Sequence, residues 1–484
     1  MRPKPSLLAL LLGVITTFIL SCGSGTSPSA GTSLTKASPA ANGVPDFPRE
    51  FRGAWSACVY NIDWPSTKGL SASAQKSQLI GILNKMQSMN MNAIIFQVRP
   101  HADAVYSSKL EPWSHWLSGT MGRSPGYDPL AFCVQEAHAR GIEVHAWFNP
   151  FRALSNANHP TSSNHITRRK PHLIKRYSNY KWMDISKSES RSIAKNVILD
   201  VVKRYDIDGV HMDDYFYPYP KAGLGPFPDG KTPAQRRGYV DSFVSGLYKD
   251  VKSAKPWVRV GISPFGIWRP GVPSQIEASV DSYEDLAADS RKWLKNGWVD
   301  YMMPQLYWRD SPAKQSYSAL LSWWRSQGSR PVWPGIATSR INSTEDPGRP
   351  ASEITRQVDL SRQIGRNWNG HAHWSVKSLM QNRGGISSAL SRNAYGAPAL
   401  VPPMPWVTKK SPSAPTASRA GSTVSWNTNG ASRVAIQVLI NGSWRPYSVQ
   451  PAYKKRASVP AGAESVAIRT VDRYGNTSAP VLAQ

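Results

Sequence analysis

Between Phe51 and about Tyr395, short apolar runs alternate eight times with longer amphipathic stretches, and few folds accommodate that rhythm. The runs are Arg52–Val59, Ala93–Val98, Ile142–Phe148, Gly209–Met212, Val258–Ile262, Val299–Met303, Val332–Ile336 and His371–Trp374. Their β-branched and aromatic content suits strands buried on both faces. The stretches between them carry apolar residues at helical spacing, as Leu79, Ile82, Leu83 and Met86 do, or Val240, Phe243, Leu247 and Val251. Strand and helix repeated eight times predicts an α/β fold, the (β/α)8 TIM barrel. An open, doubly wound sheet is the competing architecture. It commonly opens with a glycine-rich turn after its first strand, and the segment 59–65 contains no glycine.

The flanks are of different composition. Arg2 and Lys4 precede an apolar run, Leu7–Leu20, followed by Ser21, Cys22 and Gly23. A basic start, a short apolar core and small residues predict an export signal over 1–22. The segment 19–22 resembles a lipobox, with Cys22 as the lipidation site. Residues 23–46, rich in Ser, Gly, Thr, Ala and Pro, are expected to form a flexible tether. The barrel is then expected over 47–398, a Pro-rich linker over 399–408, and a small all-β domain resembling a fibronectin type III sandwich over 409–484. Asn441-Gly442 marks a hairpin there. Cys58 and Cys133 are too few for a disulfide framework and are expected as buried thiols or one bridge. No His/Cys spacing matches a zinc site and no nucleotide fingerprint occurs, so neither a metal nor a cofactor is expected.

A formal net charge of +27 implies an anionic partner. Export argues against nucleic acid and for an acidic wall polymer. The segment from Lys409 onward alone holds ten Lys and Arg against two Asp and Glu. Its basic surface is expected either to be merely solvated or to cling to such a polymer.

In a TIM barrel the active site lies at the C-terminal ends of the strands. Polar and aromatic residues crowd those ends: Arg99, His101 and Asp103 after the second run; His145, Asn149 and Arg152 around the third; His211, Asp213, Asp214 and Tyr215 at the fourth; Trp268 after the fifth; Gln305, Tyr307 and Trp308 at the sixth; Trp374 at the eighth. Aromatic faces stack on sugar rings and amide, guanidinium and imidazole groups bond to hydroxyls. The chain has 19 Trp, more than packing requires. Carbohydrate is the expected ligand.

Glycosidic cleavage generally uses two carboxyl groups. Asp213 is the expected nucleophile or base, on the same strand face as His211, with Asp214 as the alternative and loop capping as the structural explanation of the pair. The fourth run ends as the nucleophile strand of α-amylase-like barrels does. Those barrels place a Glu after the fifth strand, where this chain has Ser263, Pro264 and Phe265. Glu111, between Trp113 and Trp116 on one side and Leu110 on the other, is the expected general acid, with Asp103 and Asp310 as rivals.

Seven segments together resemble a bacterial family of glycosyl-hydrolase-like TIM-barrel lipoproteins: FRGAW at 51–55, YNIDWP at 60–65, FQVRP at 96–100, KLEPWS at 109–114, WFNPFR at 147–152, DGVHMDDYFYP at 208–218 and MPQLYW at 303–308. The resemblance implies a hydrolase of peptidoglycan glycan strands already stripped of stem peptides, lipid-anchored and facing the periplasm or wall. A polar eighth run, with His371 and His373, departs from the family and is expected to alter the adjoining subsite. A non-catalytic carbohydrate-binding lipoprotein is the other expectation, kept open by the missing acid after the fifth strand.

Overall fold

All eight runs form strands in a computed structural model that describes residues 43–484 with the exception of residue 366. The expected signal segment, Cys22 and the expected tether as far as residue 42 lie outside the described residues. The strands pair in the spatial order seventh, eighth, first, second, third, fourth, fifth, sixth, each pair parallel. Parallel bridges Met302–Val332 and Gln305–Gly335 join the sixth strand to the seventh and close the ring. Closure rules out the open doubly wound sheet. The sixth and seventh strands shrink to Tyr301–Met302 and Gly335–Ile336. Pro304, Pro331 and Pro334 explain this, because each removes a ladder donor.

Alternate residues serve two cores, as the two-residue period of a strand requires. Ile94, Phe96 and Val98 pack outward under the helices, with Val144, Ala146, Val210, Met212, Val260 and Ile262. Phe51, Trp55, Ala93, Ile95, Trp147, Tyr301 and Trp333 fill the barrel. Bulk on one strand demands its absence on the next. A Cβ on Gly261 would stand 1.9 Å from the Tyr301 ring, so this inward position must be glycine. Helices start where side chains can cap them: Asp128 accepts from the Ala131 N–H, and Thr232 and Gln235 cap each other's backbone ahead of Pro233–Ala254.

After the third strand the chain makes an excursion with no counterpart in the expected pattern. Arg152–Leu154, Ile174–Tyr177 and Tyr180–Met183 form a small antiparallel sheet beside the barrel mouth. Runs of three or four residues carry too few periods for alternation to register.

The C-terminal segment forms a three-stranded and a four-stranded sheet whose inward Val424, Trp426, Val434, Ile436, Val438, Val466 and Ile468 share one core. Asn441 and Gly442 both have positive φ, as the hairpin turn needs. This sandwich docks on the barrel end remote from the strand C-termini. Arg433 reaches Glu143, the first residue of the third strand, at 2.8 Å, and Arg473 reaches Asp206 at 2.6 Å. Two of the basic residues proposed for a polymer are therefore engaged by the barrel. The connecting segment is not free either: Leu400, Val401 and Met404 are buried. Nor does the tether extend to residue 46, since Val44 is buried and its carbonyl accepts from Arg469. Cys58 and Cys133 are both buried free thiols.

Candidate active site

At the C-terminal ends of the strands a cavity of about 360 Å³ opens over the barrel core, within the size range of ligand clefts. Trp55, Trp147 and Trp374 form its aromatic wall, the last lying edge-on to each of the other two at 6.0 Å between ring centres. Tyr60 stands at the rim, 56% exposed, held in a left-handed backbone conformation with its hydroxyl donating to Ser155 at 2.6 Å. The remaining lining includes Arg152, Tyr215, Tyr219, Ser263, Gln305 and Tyr307. Among the described residues that line it, two carry carboxylates, Asp213 and Asp214, consecutive in the chain.

The fourth strand ends at Met212, so the strict alternation of side chains stops there and both aspartates reach the cavity. Asp213 is held by amides. Its Oδ2 accepts from Asn149 Nδ2 at 3.2 Å and its Oδ1 from the Asp214 backbone N–H at 3.0 Å, with Gln305 Nε2 at 3.4 Å. Gln97 braces this arrangement, donating to Asn149 Oδ1 at 2.9 Å while accepting from the N–H groups of Cys58 and Val59. The environment of Asp214 is different. Its carboxyl is buried and receives the Tyr219 hydroxyl. Burial, and next the charge of Asp213, push it well above the usual carboxylate range, so it holds its proton. One acid and one amide-bound carboxylate thus stand side by side, the combination acid–base chemistry needs.

Of the expected site residues, Asp213, Asp214, Arg152, Tyr215, Gln305, Tyr307 and Trp374 line this cavity. Asn149 lies directly behind Asp213. Others are placed elsewhere. Glu111, expected as general acid, is in a buried ion pair with Arg99, whose Nε lies 2.8 Å from Glu111 Oε2. Arg99 in turn donates to the Asn149 and Pro150 carbonyls, so this pair ties loops together and neither residue reaches the cavity. Asp310 pairs with Arg356 at 2.8 Å and accepts from Ser316 and Ser318, outside the site. His145 and His211 are sealed inside the barrel, where both ring Nδ1 atoms meet the Tyr301 hydroxyl, at 2.8 and 3.0 Å. Burial holds His211 well below its ordinary pKa, hence neutral. The inward face was the right one, but one layer too deep for substrate. Trp268 stacks on Trp323, and Trp308 lies edge-on to Phe265; neither lines the cavity. Asp103 is fully buried beside His101 and His115. The polar eighth strand does not modify a subsite through His371 and His373, because both rings face the Tyr395 hydroxyl in the core instead.

Trp55, Trp147, Tyr219 and Ser263 also line the cavity, beyond the residues expected from the strand ends. Counting by twos inward from Gly53 and His145 would have reached Trp55 and Trp147.

The sequence matches the family model described as glycosyl hydrolase-like 10 over residues 50–347. It is 42% identical over 389 residues to "Glycosyl hydrolase YngK" of Bacillus subtilis (strain 168), covering 76% of each chain. It is 33% identical over 307 residues to "Glycosyl hydrolase DigH" of Escherichia coli (strain K12), covering 56% of this chain and 69% of that one. Among solved structures, the PgaB (BpsB) glycoside hydrolase domain from Bordetella bronchiseptica aligns with a TM-score of 0.47 at 13% identity, over 72% of this chain and 98% of that one.

Proposed function

Because this chain belongs to the glycosyl hydrolase-like 10 family, we propose that its Asp213–Asp214 cavity hydrolyses glycosidic bonds in bacterial cell-wall glycan. The chain is a glycoside hydrolase by its family and its relatives. The choice of wall glycan is our reading. One observation carries glycosidic cleavage: two carboxyl groups adjacent in sequence, Asp213 held by amides and Asp214 buried against the Tyr219 hydroxyl, at the foot of a tryptophan wall. A formal net charge of +27 suits work among anionic wall polymers.

The adjacency shapes the mechanism. Paired carboxyls that act from opposite sides of a sugar ring stand about 5–9.5 Å apart, depending on the stereochemical outcome. Side chains on Cα atoms about 3.8 Å apart more readily reach one side of the ring. Wall sugars bring their own nucleophile, the acetamide oxygen at C2, and substrate-assisted hydrolysis of this kind is known chemistry. In our scheme Asp214 gives its proton to the glycosidic oxygen as the C1–O bond breaks. The acetamide oxygen closes on C1, and Asp213 accepts a hydrogen bond from the acetamide N–H as that nitrogen becomes positive. Water, deprotonated by the Asp214 carboxylate, then opens the cyclic intermediate with net retention, and Asp214 is again an acid.

Strands stripped of stem peptides are the substrate to test first, as the motif resemblance implied. Purified strands are incubated with the protein and the products weighed. New reducing ends support hydrolysis. Intact strands that nevertheless bind would favour a non-catalytic receptor, and anhydro ends would indicate a lyase. Export and anchoring through lipidated Cys22 complete the proposal, supported by the basic start, the apolar run and the small residues on either side of that cysteine.

A further inference from the structure

His101, Asp103 and His115 converge in the wall beside the catalytic cavity, and we propose that they form a binding site for a divalent metal ion of the zinc class. One ligand atom from each lies within 4.8 Å of the others. All three residues are at most 2% exposed. Such burial normally requires every polar atom to find a partner. Here His101 Nε2, Asp103 Oδ2 and both ring nitrogens of His115 have no hydrogen-bond partner among the described residues. One orphaned ligand atom on each of three residues, all within 4.8 Å of one another, would be costly in a buried wall, at about 1–3 kcal/mol each. A cation that accepts lone pairs from all three residues removes that cost.

The surroundings fit ligation. The ligands are oriented from behind. Asp103 Oδ1 accepts the His101 backbone N–H at 2.8 Å, which leaves Oδ2 to face the imidazoles, and His165 Nε2 lies 2.9 Å from the His101 carbonyl oxygen. Such outer contacts fix ligand geometry in metal sites. His159, half-exposed, lies with its ring centre 3.8 Å from that of His115 and offers both a route in and a further imidazole. Two imidazoles and a carboxylate suit Zn²⁺ and its neighbours better than Ca²⁺ or Mg²⁺.

The site escapes a motif search because its ligands come from the loop after the second strand and from the short helix His115–Ser118. That helix carries Trp116, which packs on the rim residue Tyr60 at 5.1 Å between ring centres. A bound ion would therefore pin the substrate rim without touching Asp213 or Asp214.

The test uses the full-length chain, purified without a polyhistidine tag and stripped with a chelator. Zinc chloride is titrated by equilibrium dialysis with elemental analysis, alongside thermal unfolding. We expect a single equivalent of tightly held zinc, a raised unfolding midpoint, and affinity reduced by at least about tenfold in both His115→Ala and the near-isosteric Asp103→Asn. Circular dichroism identifies which variants fold, and either suffices. No retained zinc overturns the proposal, as does zinc held equally well by the parent and a folded variant. Because the readout is metal content, it is independent of whether the cavity cleaves wall glycan.

Discussion

Asn149 Nδ2 donates to Asp213 Oδ2 at 3.2 Å, and behind it Gln97 donates to Asn149 Oδ1 at 2.9 Å. Position therefore reaches the carboxylate from the second strand through the third. The two links should fail differently. Asn149→Ala frees the carboxylate, and a misplacement near 1 Å costs on the order of a hundredfold in kcat with little change in folding. Gln97→Ala leaves the buried N–H groups of Cys58 and Val59 without an acceptor, at about 1–3 kcal/mol each. Steady-state kinetics and urea unfolding of both variants separate the effects. Equal loss of stability in the two would contradict this division of roles.

Glu111→Gln should be a stability mutation. Removing its charge strands the buried Arg99 guanidinium, and breaking such a pair costs about 3–5 kcal/mol. Unfolding midpoints should drop while the kcat of the folded fraction stays near the parent's. A folded Glu111→Gln protein that loses turnover without losing stability would restore Glu111 to the catalytic set.

The seam between barrel and sandwich should be acid-sensitive. Burial alone would raise the Glu143 pKa, but Arg433 and its neighbours outweigh that and hold it at about 2, below the ordinary 4.5. A depressed folded pKa means stability that is present above about 4.5 and lost as pH falls toward about 2. Thermal midpoints measured across that window should fall steeply in the parent and less steeply in Arg433→Met. Identical slopes would show that the pair does not couple the two parts.

Much of the architecture was legible in advance because a buried parallel strand leaves an unmistakable mark, a short apolar run flanked by longer helical spacing. All eight runs became barrel strands, and the Asp213–Asp214 pair stands at the end of the fourth. The small sheet over 152–183 was not legible, since its strands are too short to show a period. Depth was the harder quantity. Position along a strand tells which face His145 and His211 take, but not whether they touch substrate or sit a layer below it, on Tyr301. Glu111 misled for a related reason. Aromatic neighbours in sequence suggested a pocket that raises a carboxyl pKa, whereas its partner in space is a guanidinium twelve positions earlier.

The proposed anchoring depends on Cys22. Replacing it by Ser should leave the precursor unprocessed or move the protein out of the membrane fraction, as read by fractionation and mass spectrometry of the N-terminal peptide. Unchanged membrane association with no lipid on that peptide would contradict it.

The most direct test of the account is turnover of stripped glycan strands by Asp213→Asn and Asp214→Asn, with binding, circular dichroism and pH profiles measured in parallel. Both variants should fold and bind, and both should lose at least about a hundredfold in kcat: Asp214→Asn removes the acid–base group, and Asp213→Asn removes the carboxylate that faces the positive charge developing on the acetamide. In the parent, activity should fall as pH rises far enough to ionise Asp214, because the acid is then spent; the coupled pair titrates together, so the limb is a property of both. A folded Asp213→Asn or Asp214→Asn protein that releases reducing ends at the parent rate would contradict the assignment of catalysis to this pair.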